Sequence, residues 1–195
     1  MAKVIVGVDE VGRGPWAGPL VAAAVAWPNG KSLRGLKDSK LLKRGTRASL
    51  ASKIRSRASA IGIGWVSHTE IDRHGLTWAN RVAMLRALNP IRIDKSELII
   101  DGKFNFLAEL YPHAQAIIKA DSSVPAVSAA SIIAKVARDN YMIKQAQEWP
   151  NYGFERHVGY GTRLHIEKLF EFGPCRLHRQ SFKPIWVSHQ ALMRS

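Results

Sequence analysis

The sequence has one cysteine, Cys175, which excludes an intramolecular disulfide and a multi-cysteine zinc site and fits a reducing compartment. His-x-His and His-x-x-x-His spacings are absent. No apolar run approaches the ~20 residues that a membrane-spanning helix needs. Met1-Ala2-Lys3 leads into a short apolar stretch and then two acids, an opening too short and too acidic to be expected as a signal peptide. The chain is therefore expected to be soluble and cytoplasmic, with no membrane partner. Repeats, low-complexity segments and a clear interdomain linker are also missing. Acids are scarce, with 15 Asp and Glu against 29 Lys and Arg, a formal net charge of +14. Hydrophobic residues make up 46% of the 195, enough for a real core, so this is not a disordered basic tail. Such an excess on a folded domain points to a polyanionic partner, nucleic acid first, with a basic protein that binds no polyanion as the alternative.

What the sequence does have is concentrated in its opening. Val4 to Val8 reads as a short buried strand running into Asp9-Glu10, then Val11-Gly12-Arg13-Gly14-Pro15-Trp16-Ala17-Gly18-Pro19. Neighbouring carboxylates at a strand end are costly unless solvated, hydrogen-bonded or bound to a cation. Gly-Arg-Gly lets backbone N–H groups approach a ligand beside a guanidinium. A tight turn with an exposed Arg13 is the competing reading. A dinucleotide fold is rejected, because the glycines are one residue off its fingerprint and prolines stand where its helix should open.

Further along, Leu20 to Ala26 is expected as a hairpin partner of the first strand, closed by a turn at Pro28-Asn29-Gly30. A basic loop from Leu33 to Arg44 should lead to a helix capped by Thr46 and running to about Ala58. Ile61 to Val66 reads as a strand, Ser67 or Thr69 as the start of a short helix, and Leu76 to Leu88 as a stronger one. Glu97 to Ile100 and Ala116 to Ile118 read as strands, and Val124 to about Trp149 as one long helix rich in alanine. Pro150 to Gly153 should break it, and a last helix spans Thr162 to Phe172, with Trp186 anchoring the tail.

On this reading three strands end in acids, at Asp9-Glu10, Asp101 and Asp121, and strand ends on one sheet edge are where α/β proteins gather site residues. Four converging carboxylates repel one another unless cations neutralise them. Hard oxygen donors without cysteine or paired histidine favour Mg²⁺ or Mn²⁺, and two such ions about 3.5–4 Å apart form the usual clamp for in-line phosphodiester cleavage. Solvated strand ends are the alternative. Adjacent strand residues face opposite ways, so Asp9 and Glu10 share a site only if the chain turns or bulges there.

Gly7 to Pro19 resembles the opening signature of the type 2 ribonucleases H, bacterial ribonuclease HII in particular. The resemblance continues through Asp38-Ser39-Lys40, Asp101-Gly102, Lys119-Ala120-Asp121, and Ser128 to Lys135 with Arg138-Asp139. It closes with Gly159-Tyr160-Gly161-Thr162 and His178-Arg179-Gln180-Ser181-Phe182. It implies an α/β, RNase H-like fold: a mixed five-stranded sheet flanked by helices, with a helical C-terminal extension. Residues 1–150 would form the catalytic domain and 151–195 the extension, contributing to substrate recognition. The implied activity is endonucleolytic hydrolysis of RNA in RNA–DNA hybrids and incision 5′ of single ribonucleotides in duplex DNA, leaving 3′-hydroxyl and 5′-phosphate ends. The four family acids fall on Asp9, Glu10, Asp101 and Asp121, which would hold two Mg²⁺ or Mn²⁺ ions. Gly12, Arg13 and Gly14 would contact the ribonucleotide's 2′-OH and adjoining phosphates. Tyr160 would pack on that sugar, and the 2′-OH is the group that tells RNA from DNA. Lys40, Lys43, Arg44 and Arg179 would contact phosphate.

Three positions depart from the family pattern. Trp16 replaces a smaller or aliphatic residue, Gly161 a frequent proline and Gln180 a frequent arginine. Ser128 and Ser131 are read as small helix-packing residues, Asp139 as structural and His178 as a support for the tail. A monomer is expected, with a sliding clamp as a possible partner. The competing functions are an inactive nucleic-acid binder on the same scaffold and a junction resolvase.

Overall fold

The computed structural model describes residues 4–28, 33–36, 42–93 and 96–185. Asn29-Gly30 of the expected turn, Asp38-Ser39-Lys40 and Trp186 lie outside the described residues. Five strands, β1 (Val4–Val11), β2 (Leu20–Pro28), β3 (Ala60–Val66), β4 (Glu97–Asp101) and β5 (Gln115–Ile117), form one sheet in the order β3-β2-β1-β4-β5. β1, β2 and β3 are antiparallel neighbours, whereas β4 and β5 run parallel to β1, so the sheet is mixed as expected. The hairpin of β1 and β2 forms because both are apolar runs buried on two faces, and their turn residues lie between them.

Helices cover both faces. On one, α2 (His68–Leu88) packs Ile71, Ala79, Ala83, Met84 and Ala87 against Val6, Val8, Ala22 and Ala24. On the other, α1 (Arg44–Arg57) and α4 (Pro125–Glu148) cover Ala23 and Val25 with Leu50, Ile54, Ala129, Ile132 and Ile133. The alanine face of α4 lets it lie close to the sheet. A Cβ on Gly7 would stand 2.2 Å from the backbone of Ala126, so only glycine fits that crossing. Ala126, Ala129 and Ala130 complete the close approach.

Several boundaries differ from the sequence reading. α1 begins at Arg44 after Lys43, which supplies no side-chain cap, so Thr46 lies inside the helix. Tertiary contacts replace the cap: Arg44 donates to the Glu155 carbonyl (3.0 Å), and Leu50, Ala51 and Ile54 are buried. Ser67 does start α2, through a capping box with Glu70, and non-helical backbone at Gly75 joins its short first part to the stronger second. Asp121 sits on a separate short helix, α3 (Ala120–Ser123), before α4. Beyond α4, a 3-10 turn (Pro150–Tyr152) leads to α5 (Phe154–His157), which the sequence did not reveal, and α6 (Arg163–Phe172) capped by Thr162. The 3-10 turn, α5 and the segment after α6 join Ala17 and Met142 in a cluster of Tyr152, Phe154, Val158, Cys175 and Leu177. No helix among the described residues is long and apolar enough to cross a membrane.

Candidate active site

β1 runs in regular register through Val11, with Asp9 opposite Ala23 and Glu10 opposite Ala22. The strand neither turns nor bulges at the acid pair, so the two side chains leave it on opposite faces. Val8 pairs with Ile100 of β4, which puts Asp9 and Asp101 one residue further along adjacent parallel strands. The short helix α3 brings Asp121 to the same edge, where its N–H donates to Asp101 Oδ1 at 3.4 Å. Asp9, Asp101 and Asp121 each offer a ligand oxygen, all within 4.8 Å of one another. Glu10 is outside that group. It accepts an ion pair from Arg13 at 3.7 Å and lines the same cavity as Asp9.

The electrostatics of this cluster are unfavourable on their own. Asp9 is buried, and burial, Glu10 and Asp101 together raise its carboxyl well above the usual range, against a stabilising hydrogen bond with Ser131. Ser131 is therefore more than a packing residue. Ser128 donates to the carbonyls of Asp121 and Val124 and so ties α3 to α4. Three carboxylates within reach of a single hard cation, at least one of them under strain from its own charge, form a fitting donor set for a divalent ion.

A cavity of about 380 Å³ opens beside Asp9, lined by Glu10, Val11, Arg47, Ser131, Lys135 and Tyr160. Tyr160 is 36% exposed and is not a packed core residue. Its ring lies near two cations, Lys135 Nζ at 5.4 Å and the Arg138 guanidinium at 5.7 Å from the centroid. Arg47 and Lys135, which the sequence reading did not single out, share Asp139 at 3.4 and 2.8 Å. That triad leaves one net positive charge on the cavity wall. Their signal was present only as an (i, i+4) pair, Lys135 with Asp139.

The glycine loop is held from beneath. Gly12 has φ +96, and a Cβ there would meet Arg138 Nε at 2.5 Å and the Pro19 carbonyl at 2.7 Å. Arg138 is buried and donates to the carbonyls of Pro19, Val158 and Ala17 at 2.9, 2.9 and 3.0 Å. Arg179, expected at a phosphate, is fully buried. Its guanidinium donates to the carbonyls of Gly12, Arg13 and Gly18. Four of its five N–H groups are spent on the loop and the side chain is buried, which stands against a phosphate contact. Arg13 and Gly14 remain exposed, as do Lys43 and Arg44 at the start of α1. Lys40 lies outside the described residues. Trp16 packs where a side chain on Gly161 would stand, since a Cβ there would lie 2.2 Å from its ring. The two departures from the family pattern are one packing unit. Gln180 is exposed and donates its N–H to Asp72.

The ribonuclease HII family model matches residues 6–185. The chain belongs to the ribonuclease HII family. Ribonuclease HII of Verminephrobacter eiseniae is 44% identical over 182 residues, covering 93% of this chain and 86% of that protein. The crystal structure of ribonuclease H2 from Pyrococcus horikoshii superposes with a TM-score of 0.81 at 28% identity, covering 98% of this chain and 100% of that one. A ribonuclease HII from Archaeoglobus fulgidus, solved in complex with PCNA, gives a TM-score of 0.80 at 28% identity and covers 95% and 96%. The chain is thus a type 2 ribonuclease H with an RNase H-like fold.

Proposed function

We propose that the enzyme hydrolyses RNA in RNA–DNA hybrids and incises 5′ of a single ribonucleotide embedded in duplex DNA, leaving 3′-hydroxyl and 5′-phosphate ends. The observation that carries this is the meeting of Asp9, Asp101 and Asp121 at one sheet edge beside a cavity that Tyr160 lines. With Glu10 alongside, these carboxylates would hold divalent cations, Mg²⁺ or Mn²⁺. Two such ions, when bound, supply an activated water and charge stabilisation for the leaving 3′-oxygen. Tyr160 presents its ring to the sugar of the ribonucleotide. Gly12, Arg13 and Gly14 approach the 2′-OH and the flanking phosphates, with Arg138 and Arg179 holding the loop's carbonyls turned inward. Lys43 and Arg44 are exposed for phosphate contact, and we extend the proposal to Lys40.

A pure binding protein has no need of anionic groups facing phosphates, so the carboxylate cluster favours turnover. The protein is proposed to act as a monomer. A sliding clamp is proposed as a partner because the Archaeoglobus relative was solved with PCNA.

The test uses a labelled DNA duplex with one ribonucleotide, incubated with Mg²⁺ and then with EDTA. A nick on the 5′ side, lost with EDTA and lost in Asp101→Asn, is the expected result. Cleavage of a branched all-DNA substrate instead would replace this reading with a resolvase.

A further inference from the structure

Three histidines, unused by the site above, are buried together behind Tyr160: His157, His165 and His178. His157 and His165 stack with ring centroids 4.4 Å apart, and Nε2 of His165 lies 2.9 Å from Nε2 of His178. Two nitrogens at that distance share one proton. The neighbouring backbone groups decide which ring carries it, because an N–H can only donate and a carbonyl can only accept.

Nδ1 of His165 lies 3.0 Å from the Tyr160 carbonyl, so it must carry a proton and donate. In a neutral ring, Nε2 of His165 is then bare. Nδ1 of His178 receives the Cys175 N–H at 2.9 Å. The Cys175 carbonyl lies 3.2 Å from the same nitrogen, but the Cys175 N–H aimed at Nδ1 leaves no room for a proton there. His178 therefore carries its proton on Nε2 and donates it to Nε2 of His165. His157 is fixed the same way: Nδ1 accepts the Gly159 N–H at 3.2 Å, and Nε2 donates to the Tyr152 carbonyl at 2.8 Å. One proton arrangement satisfies every contact but the 3.2 Å approach of His178 Nδ1 to the Cys175 carbonyl.

The chain of donors ends on the residue at the cavity mouth. It runs from Cys175 N–H through His178 and His165 to the carbonyl of Tyr160. The N–H of Tyr160 donates in turn to the carbonyl of His157 at 3.0 Å. The N–H is thus held by a backbone carbonyl, while the C=O accepts both the His165 imidazole and the Thr162 N–H at 2.8 Å. We propose that His165 and His178 are positioning residues for Tyr160: a neutral, one-directional imidazole pair that fixes the backbone from which its ring faces the substrate sugar. Burial supports this, pulling His165 down to about 3 and His178 to about 4, each also lowered by His157, while burial lowers His157 from its ordinary value. Hydrogen bonds in series polarise one another, so the pair is stiffer than either bond alone. The inference rests on the reading of Tyr160 given above.

The test has two arms. In ¹⁵N-labelled protein at neutral pH, long-range ¹H–¹⁵N spectra report the tautomer of each ring. The expected pattern is Nδ1–H for His165 and Nε2–H for His178 and His157, assigned through His165→Asn and His178→Gln. The opposite tautomer at His165 or His178, or an averaged signal, overturns the proposal whether or not any variant is active. The second arm measures kcat/KM on the single-ribonucleotide duplex. His165→Leu should lose on the order of tenfold. His165→Asn, whose amide stands near the place of Nδ1, should recover most of it. In a Tyr160→Ala background His165→Leu should cost nothing further, because it acts through that residue. An equal loss in both backgrounds overturns the positioning role. A Tyr160→Ala enzyme with unchanged activity sinks the Tyr160 reading, and the proposal with it. Impaired Tyr160→Ala beside an unaffected His165→Leu sinks the proposal alone.

Discussion

Replacing Arg179 by methionine separates two roles that a basic residue can have in a nuclease. The side chain is fully buried and makes four hydrogen bonds, at 2.6–3.1 Å, to the carbonyls of Gly12, Arg13 and Gly18. Methionine fills much of the volume and leaves those three acceptors without their donor. A buried acceptor left unmet costs about 1–3 kcal/mol, and three are left here. A loss near 4 kcal/mol lowers the melting temperature of a chain of this size by roughly 10 °C. Urea denaturation with fluorescence from the six tryptophans reads the change directly. Activity should fall too, because Gly12 and Arg13 lose the scaffold that shapes their loop. The salt dependence of hybrid binding should keep its slope, since no phosphate contact is removed. Arg179→Met with wild-type stability and a salt slope reduced by about 1 would refute the scaffold role and return the residue to the phosphate track.

The carboxylate cluster predicts a trade between stability and metal binding. Asp9→Asn removes a charge that burial, Glu10 and Asp101 all oppose, so the metal-free protein should be stabilised while cleavage is lost. Mn²⁺ should raise the melting temperature of the wild type and leave that of Asp9→Asn nearly unchanged; equal shifts in both would exclude Asp9 as a ligand. The histidines predict an acid-side loss. His165 and His178 are held near 3 and 4 when folded against 6.5 when unfolded, so the unfolded chain binds more protons as pH falls below 6.5. Stability is complete above 6.5 and falls by about 1.4 kcal/mol per pH unit for each histidine until its folded value is reached. Asp9 titrates with the opposite sign, because its folded value is raised. Comparing the pH slopes of wild type and His178→Gln isolates the histidine contribution, and identical slopes would contradict it.

The sheet was legible in the sequence because its strands are buried apolar runs with turn residues at their ends, and the acids of β1 and β4 stand at such ends. Asp121 was placed at a strand end but stands on a four-residue helix, which is too short to carry any 3.6-residue periodicity. α5 escaped for the same reason. The relation of Asp9 to Glu10 needed the register of β1 with β2, which no local pattern encodes. Trp16 and Gly161 stood out separately as departures from a family pattern, and only their contact shows that one makes room for the other.

Arginine is where sequence reasoning was furthest from the structure, and the reason is physical. Long charged side chains are mostly exposed, so a basic residue in a basic protein is assigned to the nucleic-acid face by default. Arg138 and Arg179 are both fully buried, and among the described residues neither donates to a carboxylate; backbone carbonyls take their place. A carbonyl partner carries no sequence signature, unlike an acid at a fixed spacing, so this kind of burial is invisible until the chain is folded. The net charge of +14 therefore overstates the direct contacts available to a polyanion. Both buried cations still add to the positive potential around the loop, whereas only exposed groups such as Arg13, Lys43 and Arg44 can release counterions by direct contact. The salt slope of hybrid binding should follow the second set, not the total.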